Sequence, residues 1–314
     1  MTKHISFTNF KGGVWKTSTA INLSKVFWRE KNKKVLIIDL DQQWNSTKTL
    51  LEEQVSKDSD FLYNVKNAEE LFKEWDIQNV KDAIVNVTKN IDLIPAKLFD
   101  LWPYLFENDS DDFRNELKKE QDSFSEICSK DNLISNDKIR LNSIHTKIED
   151  FIKRGESWSK VLKKKISEIE WEYDYIFYDL PPSSSKIIQN AWIASDYLMI
   201  PVSDTFSLEW TDLLLNTMIN IKKEHNPDLK FIFFLNKVKL HSNKTWEHLW
   251  KHHYKIMTLL SDALDSNEDL SSMAYMMNSW IRYSMSVETW ILDENIRGDY
   301  KSVANELDKL IKNN

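Results

Sequence analysis

Phe7-Thr8-Asn9-Phe10-Lys11-Gly12-Gly13-Val14-Trp15-Lys16-Thr17-Ser18, close to the N-terminus, is the stretch on which the fold assignment turns. A short apolar run, His4 to Phe7, precedes it, and a helical pattern from about Thr17 to Glu30 follows, so it occupies a strand-to-helix turn. Successive backbone N–H groups at such a turn can face phosphate oxygens. A lysine there can reach the β- and γ-phosphates, and the next hydroxyl can ligate Mg2+. Lys16 and Thr17 stand where those two roles fall.

The stretch resembles the deviant Walker A motif, K-G-G-x-G-K-[ST], of the ParA/Soj/MinD ATPases, with Lys11 as the extra lysine that marks the family. One position departs from it, because Trp15 stands where the motif has glycine. Two other motifs repeat that exchange. Asp39-Leu40-Asp41-Gln42-Gln43-Trp44-Asn45-Ser46-Thr47 looks like the family's D-x-D-P-Q-G-N-[AS]-T, with Trp44 on the glycine and Gln42 on the proline. Phe206-Ser207-Leu208-Glu209-Trp210 looks like its F-x-L-E-G. Trp75 and Trp290 follow helical patterns where a capping glycine is natural.

Composition gives the exchange a direction. About 22 glycines are expected in a chain of this length, yet there are 4, against 13 tryptophans. This pattern fits UGA codons read as glycine in the source organism and written here as tryptophan. Its alternative is a diverged, Trp-rich chain with a dead nucleotide site. Sterically, an indole at position 15 stands where only a residue without Cβ allows the backbone to approach phosphates closely.

With 42 basic and 49 acidic residues the net charge is −7, so DNA contact requires a local basic patch. The only cysteine, Cys128, leaves no internal disulfide or multi-cysteine metal site. No apolar run reaches membrane-spanning length and no signal-peptide core follows Met1. The expected location is cytoplasmic.

Buried-strand runs are predicted at His4 to Thr8, Lys34 to Leu40, Ile91 to Pro95, Tyr175 to Leu180, Tyr197 to Val202 and Phe231 to Asn236, with a weaker one at Ala274 to Ile281. Their alternation with helical patterns predicts a doubly wound, mostly parallel α/β sheet of the P-loop NTPase class, forming one domain over residues 1–314. Residues 102–165, charged and helically spaced, read as an insertion: a helical hairpin or projection, or else a disordered linker. Tyr300, Val303, Ala304, Leu307, Leu310 and Ile311 form one apolar helix face with balanced charges around it, which favours core packing over a membrane anchor.

The resemblance implies specific roles. ATP and Mg2+ are the expected cofactors. Lys11, Gly12, Gly13, Val14, Trp15, Lys16, Thr17 and Ser18 would hold the phosphates, and Asp41 would position the attacking water and the magnesium shell. Asp179, in Tyr178-Asp179-Leu180-Pro181-Pro182, matches the Walker B aspartate, so Thr17, Asp41 and Asp179 form the expected metal set. Asn236 matches an adenine-contacting asparagine, or is a strand-end turn residue. Lys11 would reach the nucleotide of a partner subunit in an ATP-dependent homodimer.

Between Lys237 and Lys255 five lysines (Lys237, Lys239, Lys244, Lys251, Lys255) and four histidines accompany a single acid, Glu247. Together with Arg282 they read either as a non-specific DNA surface or as an ordinary solvated helix face. His248 and His252 lack the companions of a zinc site.

The resemblance extends to Tyr300-Lys301-Ser302-Val303-Ala304-Asn305-Glu306-Leu307, close to the family's closing Y-x-x-L-A-x-E-L, and favours the ParA/Soj branch. It implies a nucleoid-associated partition switch that is stimulated by a ParB-like partner and carries no N-terminal helix-turn-helix domain. The alternatives are a MinD-like or other cargo-positioning ATPase, a metabolic synthase of the same superfamily, or a catalytically dead interaction module if Trp15 is genuine.

Overall fold

The structure, a computed structural model, describes residues 1–58, 61–72, 77–96, 161–182, 185–203, 217–238, 273–284 and 294–313, together with positions 215, 258 and 262. Eight strands form one sheet: β1 Lys3–Phe7, β2 Val35–Asp39, β3 Val85–Thr88, β4 Ile91–Ile94, β5 Tyr175–Asp179, β6 Tyr197–Val202, β7 Lys230–Leu235 and β8 Ala274–Met276. Their order across the sheet is β3-β4-β2-β5-β1-β6-β7-β8. Every pairing is parallel except β3 with β4.

The central strands are buried on both faces because helices cover both sides of the sheet, and they are mostly apolar, with His4 and Ser6 of β1 as buried polar exceptions. Period-two alternation then assigns each side chain to one of two cores. Val35 and Ile37 of β2, Phe7 of β1 and Phe177 of β5 face α1 (Lys16–Lys31) and the C-terminal helix Glu294–Asn313. Leu36, Ile38, Ile176 and Tyr178 face the other way, onto helices Val161–Ile166 and Lys186–Ala194. Burying each such aliphatic or aromatic side chain contributes about 1.5–3 kcal/mol. The anticipated C-terminal face is buried at Tyr300, Val303, Ala304, Leu307 and Ile311, with Leu310 partly covered. Asp308 ties that helix to Lys31 (3.0 Å) and to the Tyr175 hydroxyl (3.1 Å).

Chain direction places the site. From β1 the chain runs through α1 to β2 on one side of β5, and from β5 it crosses to β6 on the other side of β1. The reversal leaves a crevice at the carboxyl ends of β1 and β5.

Three details differ from the sequence reading. The four-residue strand β3 was not foreseen: it pairs antiparallel with β4 across the turn at Lys89 and Asn90, and its half-exposed Val-Asn-Val-Thr pattern lacks the continuous apolar run of a buried strand. The weak strand at Ala274 to Ile281 regularises only over Ala274–Met276, at the sheet edge. Beyond Met276 the chain stays attached by single backbone bonds, Met277 N to Phe233 O and Ile281 N to Leu235 O. Residues 161–165, the end of the expected insertion, belong to a helix whose Leu162 and Ile166 are buried in the core. The rest of that insertion lies outside the described residues, as do Cys128, Trp75, Trp210, Trp290, His248 and His252. Among the described residues no helix is long and apolar enough to cross a membrane.

Candidate active site

The loop between β1 and α1 is fastened at both ends by buried amides. Asn9 donates from Nδ2 to Pro201 O (2.9 Å) at the end of β6, and its Oδ1 accepts the Lys11 N–H (2.9 Å). On the other side Asn236, fully buried after β7, donates to Val14 O (3.0 Å). Gly12 and Gly13 form the exposed crest, and Gly13 sits at φ 71, a conformation open to glycine without strain. The Lys16 ammonium curls into the loop and donates to Asn9 O (3.0 Å) and Lys11 O (3.2 Å). No side chain caps the start of α1, so its first N–H groups point out of the helix end beside Lys16 and Thr17.

Trp15 and Trp44 occupy the same unusual conformation. Trp15 has φ 60 and ψ 38, Trp44 has φ 48 and ψ 34, and each immediately precedes a helix. An L-residue held there pays about 1–3 kcal/mol, whereas glycine is at ease. Among the described residues the other non-glycine ones in this region are Asn32, which caps α1, and Lys237 (φ 57). Trp28 and Trp192, by contrast, lie inside regular helices, and Trp192 is wholly buried against Phe10.

Asp41 closes a turn at the end of β2, accepting the Gln43 N–H on Oδ1 (2.9 Å) and the Trp44 N–H on its carbonyl (2.8 Å). Next come α2 (Asn45–Leu50) and α3 (Glu52–Lys57). The first turn of α2 reaches back to the strand ends: Ser46 Oγ donates to Asp179 Oδ2 (2.7 Å), and Thr47 bonds Asp39 Oδ2 through N (2.9 Å) and Oγ1 (2.8 Å). Asp39, Asp41 and Asp179 are thus three buried carboxyls crowded together. Burial first, then the neighbouring Asp41 charge, pushes Asp179 up to about 7, against the Ser46 and Thr17 hydroxyl bonds. Burial also raises Asp41, and raises Asp39 well above the carboxylate range with help from Asp179.

Asp179 Oδ1 is buried with no hydrogen-bond partner. A carboxyl with one orphaned oxygen, bonded by the Thr17 hydroxyl as well as by Ser46, suits a hard divalent cation that keeps most of its oxygen ligands from phosphate and water. Among the described residues no group of three or more His, Cys, Asp or Glu is placed to cage a metal by itself.

These pieces line one cleft of about 930 Å³, which includes Gly12 to Ser18, Asp41, Gln43, Trp44, Lys48 and Glu52. Of the residues singled out in the sequence, Gly12, Gly13, Val14, Trp15, Lys16, Thr17, Ser18 and Asp41 meet at the cleft, with Asp179 buried behind Thr17. Lys11 is half-buried and does not line the cleft. Asn236 braces the loop from behind and does not line the cleft. Arg282 is held by Asp299 through Nε (2.8 Å) and Nη2 (2.9 Å), so its charge is engaged within the protein. Lys237 lies over the Trp15 indole. Lys239, Lys244, Lys251 and Lys255 lie outside the described residues. Sequence reasoning passed over Asn9, Asp39, Ser46 and Thr47. The last three lie inside the quoted Asp39–Thr47 motif, whose run of polar residues directly after an apolar strand was the available signal.

A family model described as an AAA domain matches residues 2–107 and 108–231. The sporulation initiation inhibitor protein Soj of Bacillus subtilis is 28% identical over 230 residues, which cover 73% of this chain and 70% of that protein. A plasmid partition protein from Borrelia burgdorferi superposes with a TM-score of 0.58 at 21% identity, over 98% of each chain. A cobyrinic acid a,c-diamide synthase from Mycobacterium smegmatis, solved with an ATP analogue and magnesium, superposes at 0.63 with 20% identity, over 99% of this chain and 96% of that one. Partition proteins and a synthase thus share this fold, so fold alone does not select among their activities. With the family match running from residue 2 to residue 231 and the motif residues gathered at one cleft, the chain belongs to the ParA/Soj family of P-loop ATPases.

Proposed function

We propose that the chain is an ATP-dependent partition switch that binds ATP and Mg2+ at this cleft, hydrolyses ATP, and works with glycine at positions 15 and 44. The observation that carries the proposal is the buried Asp179 carboxyl, one oxygen of which has no hydrogen-bond partner, behind a loop whose lysine is already turned into it. Thr17 and Asp179, with Asp41 nearby, would hold the cation, which neutralises charge on the phosphates when bound. Lys16 would exchange its contacts with Asn9 O and Lys11 O for β- and γ-phosphate oxygens. The N–H groups of the loop and of the start of α1 bind the same phosphates, and Asp41, fixed by the Gln43 N–H, orients water.

The finer points of the proposal are an ATP-dependent homodimer in which Lys11 reaches the partner's nucleotide, stimulation by a ParB-like protein, and non-specific DNA binding by the lysines of 237–255. Arg282 contributes less to DNA than its position in the sequence suggests, because Asp299 already satisfies it.

Two measurements test this. The tryptic peptide Val35 to Lys48 from native cells contains one tryptophan position, Trp44, and its mass is expected to fit glycine there. Recombinant protein carrying Trp15→Gly and Trp44→Gly is expected to hydrolyse ATP with Mg2+ and to lose the activity on Lys16→Gln. A second reading has its own observation: Trp15 is only 7% exposed and well packed, as an occluding residue would be. A peptide mass fitting tryptophan, with no ATP binding by the chain as written, would favour that reading.

A further inference from the structure

Two lysines among the described residues line the cleft, and they are held differently. The Lys16 ammonium sits inside the phosphate loop on two carbonyl oxygens. Lys48, exposed on α2, forms no ion pair among the described residues, and its ammonium lies 4.6 Å from the centroid of the Trp44 indole. The backbone explains that pose. Trp44 N–H donates to Asp41 O (2.8 Å) and Lys48 N–H to Trp44 O (2.9 Å), so Asp41, Trp44 and Lys48 follow one another along one side of the turn and helix. Helical side chains lean toward the helix N-terminus, and here that direction leads back to Asp41. The Lys48 charge accordingly acts on the Asp41 carboxyl, as the Lys16 charge does, against the effect of burial.

Glycine at position 44 removes the indole on which Lys48 rests and leaves its ammonium free beside the cleft. Asp41 and Glu52 line the same cleft, so with Lys16 as the only cation its ionised side chains would present net negative charge to an anionic ligand. We infer that Lys48 contacts the terminal phosphate of bound ATP and thereby discriminates ATP from ADP. The contact is a charge-assisted hydrogen bond to an oxygen that ADP lacks. The inference rests on the reading of the cleft as an ATP site and of residue 44 as glycine. It adds a residue that lies outside both the phosphate loop and the Asp39–Thr47 motif, and it supplies a second cation from the same chain.

The test uses the Trp15→Gly, Trp44→Gly protein with Mg2+ and measures, by calorimetry, the affinities for a non-hydrolysable ATP analogue and for ADP. Adding Lys48→Gln is expected to weaken the analogue about tenfold, the loss of one charge-assisted hydrogen bond, and to leave ADP unchanged. Lys48→Arg is expected to regain most of the loss, and Lys48→Met, which keeps the aliphatic stem without the charge, to regain none. Because Lys48 is exposed, Lys48→Gln is expected to match its parent in urea unfolding. Equal affinity for the analogue with and without Lys48→Gln, or equal weakening of the analogue and ADP, overturns the inference while the ATP site stands. Failure of both ligands to bind the doubly substituted parent overturns the nucleotide reading and this inference with it.

Discussion

An L-residue at φ near 60 brings its Cβ against its own backbone oxygen, and the strain is independent of how well the side chain packs. Trp15 and Trp44 are both held there. Trp44→Gly is therefore expected to be about 1 kcal/mol more stable than Trp44→Ala in urea unfolding, because only alanine retains the clash. At Trp28, inside α1, the order reverses by about 1 kcal/mol, since glycine there costs chain entropy without relieving strain. An alanine variant at position 44 as stable as the glycine one would remove the conformational argument for glycine.

His4 carries a second prediction at this scale. Its Nδ1 meets the Tyr178 hydroxyl (2.9 Å), its Nε2 lies 2.9 Å from Glu170, and its backbone N–H donates to Asp196 Oδ2 (2.8 Å). Burial lowers its pKa below the ordinary 6.5, more than the Asp196 and Glu170 charges raise it. With the folded value depressed, the unfolded chain takes up the proton first, so this contribution is present above 6.5 and is lost as pH falls below it. Between about pH 7.5 and 5.5 the parent is expected to lose more stability than His4→Gln. Asp39 and Asp179, whose raised values act in the opposite direction, are common to both proteins.

At the scale of elements, α2 joins the cleft to the sheet. Ser46 and Thr47, consecutive in its first turn, grip carboxyls at the ends of two adjacent strands, β5 and β2. Thr47 Oγ1 also accepts the Ala96 N–H (2.9 Å) just beyond β4, so one hydroxyl ties three elements together. Thr47→Val keeps the shape and leaves the buried Asp39 oxygen and the Ala96 N–H short of partners. A loss of about 2–3 kcal/mol in denaturant unfolding is expected. A loss below about 0.5 kcal/mol would mean that water replaces the hydroxyl and that α2 is not anchored through it.

For the molecule as a whole, the crowded carboxyls and the single lysine inside the loop form a charge arrangement that a magnesium nucleotide would balance. In the Trp15→Gly, Trp44→Gly protein, Mg2+ and ATP at about a hundred times the dissociation constant are expected to add about 2.7 kcal/mol. That raises the Tm by about 5 °C for a chain of this size. Chelating the Mg2+ with EDTA should abolish most of the gain. A gain that survives chelation would place the binding energy outside the Thr17, Asp41 and Asp179 set.

Much of the fold was legible in the chain because buried parallel strands are short runs rich in apolar residues, and six such runs lie at β1, β2, β4, β5, β6 and β7. The phosphate loop was equally legible, since a turn, a lysine and a hydroxyl at fixed spacing are local properties of consecutive residues. The short edge strand β3 was not, because half-exposed strands lack that run and depend on a partner for their pairing. The motif resemblance set glycine against Trp15 and Trp44, whereas the left-handed backbone at both positions is a property of the folded loop. The contacts that finish the site are non-local: Asn236 on Val14, Tyr283 on Trp15, Ser46 on Asp179 and Asp299 on Arg282. Sequence alone determined which elements form and in what order the motif residues arrive, because hydrophobic period and turn chemistry act between near neighbours. Only the tertiary structure decided which buried carboxylate oxygen lacks a partner, which charges are already paired, and which ring stands beside the loop, because those depend on strands that meet only once the sheet has closed.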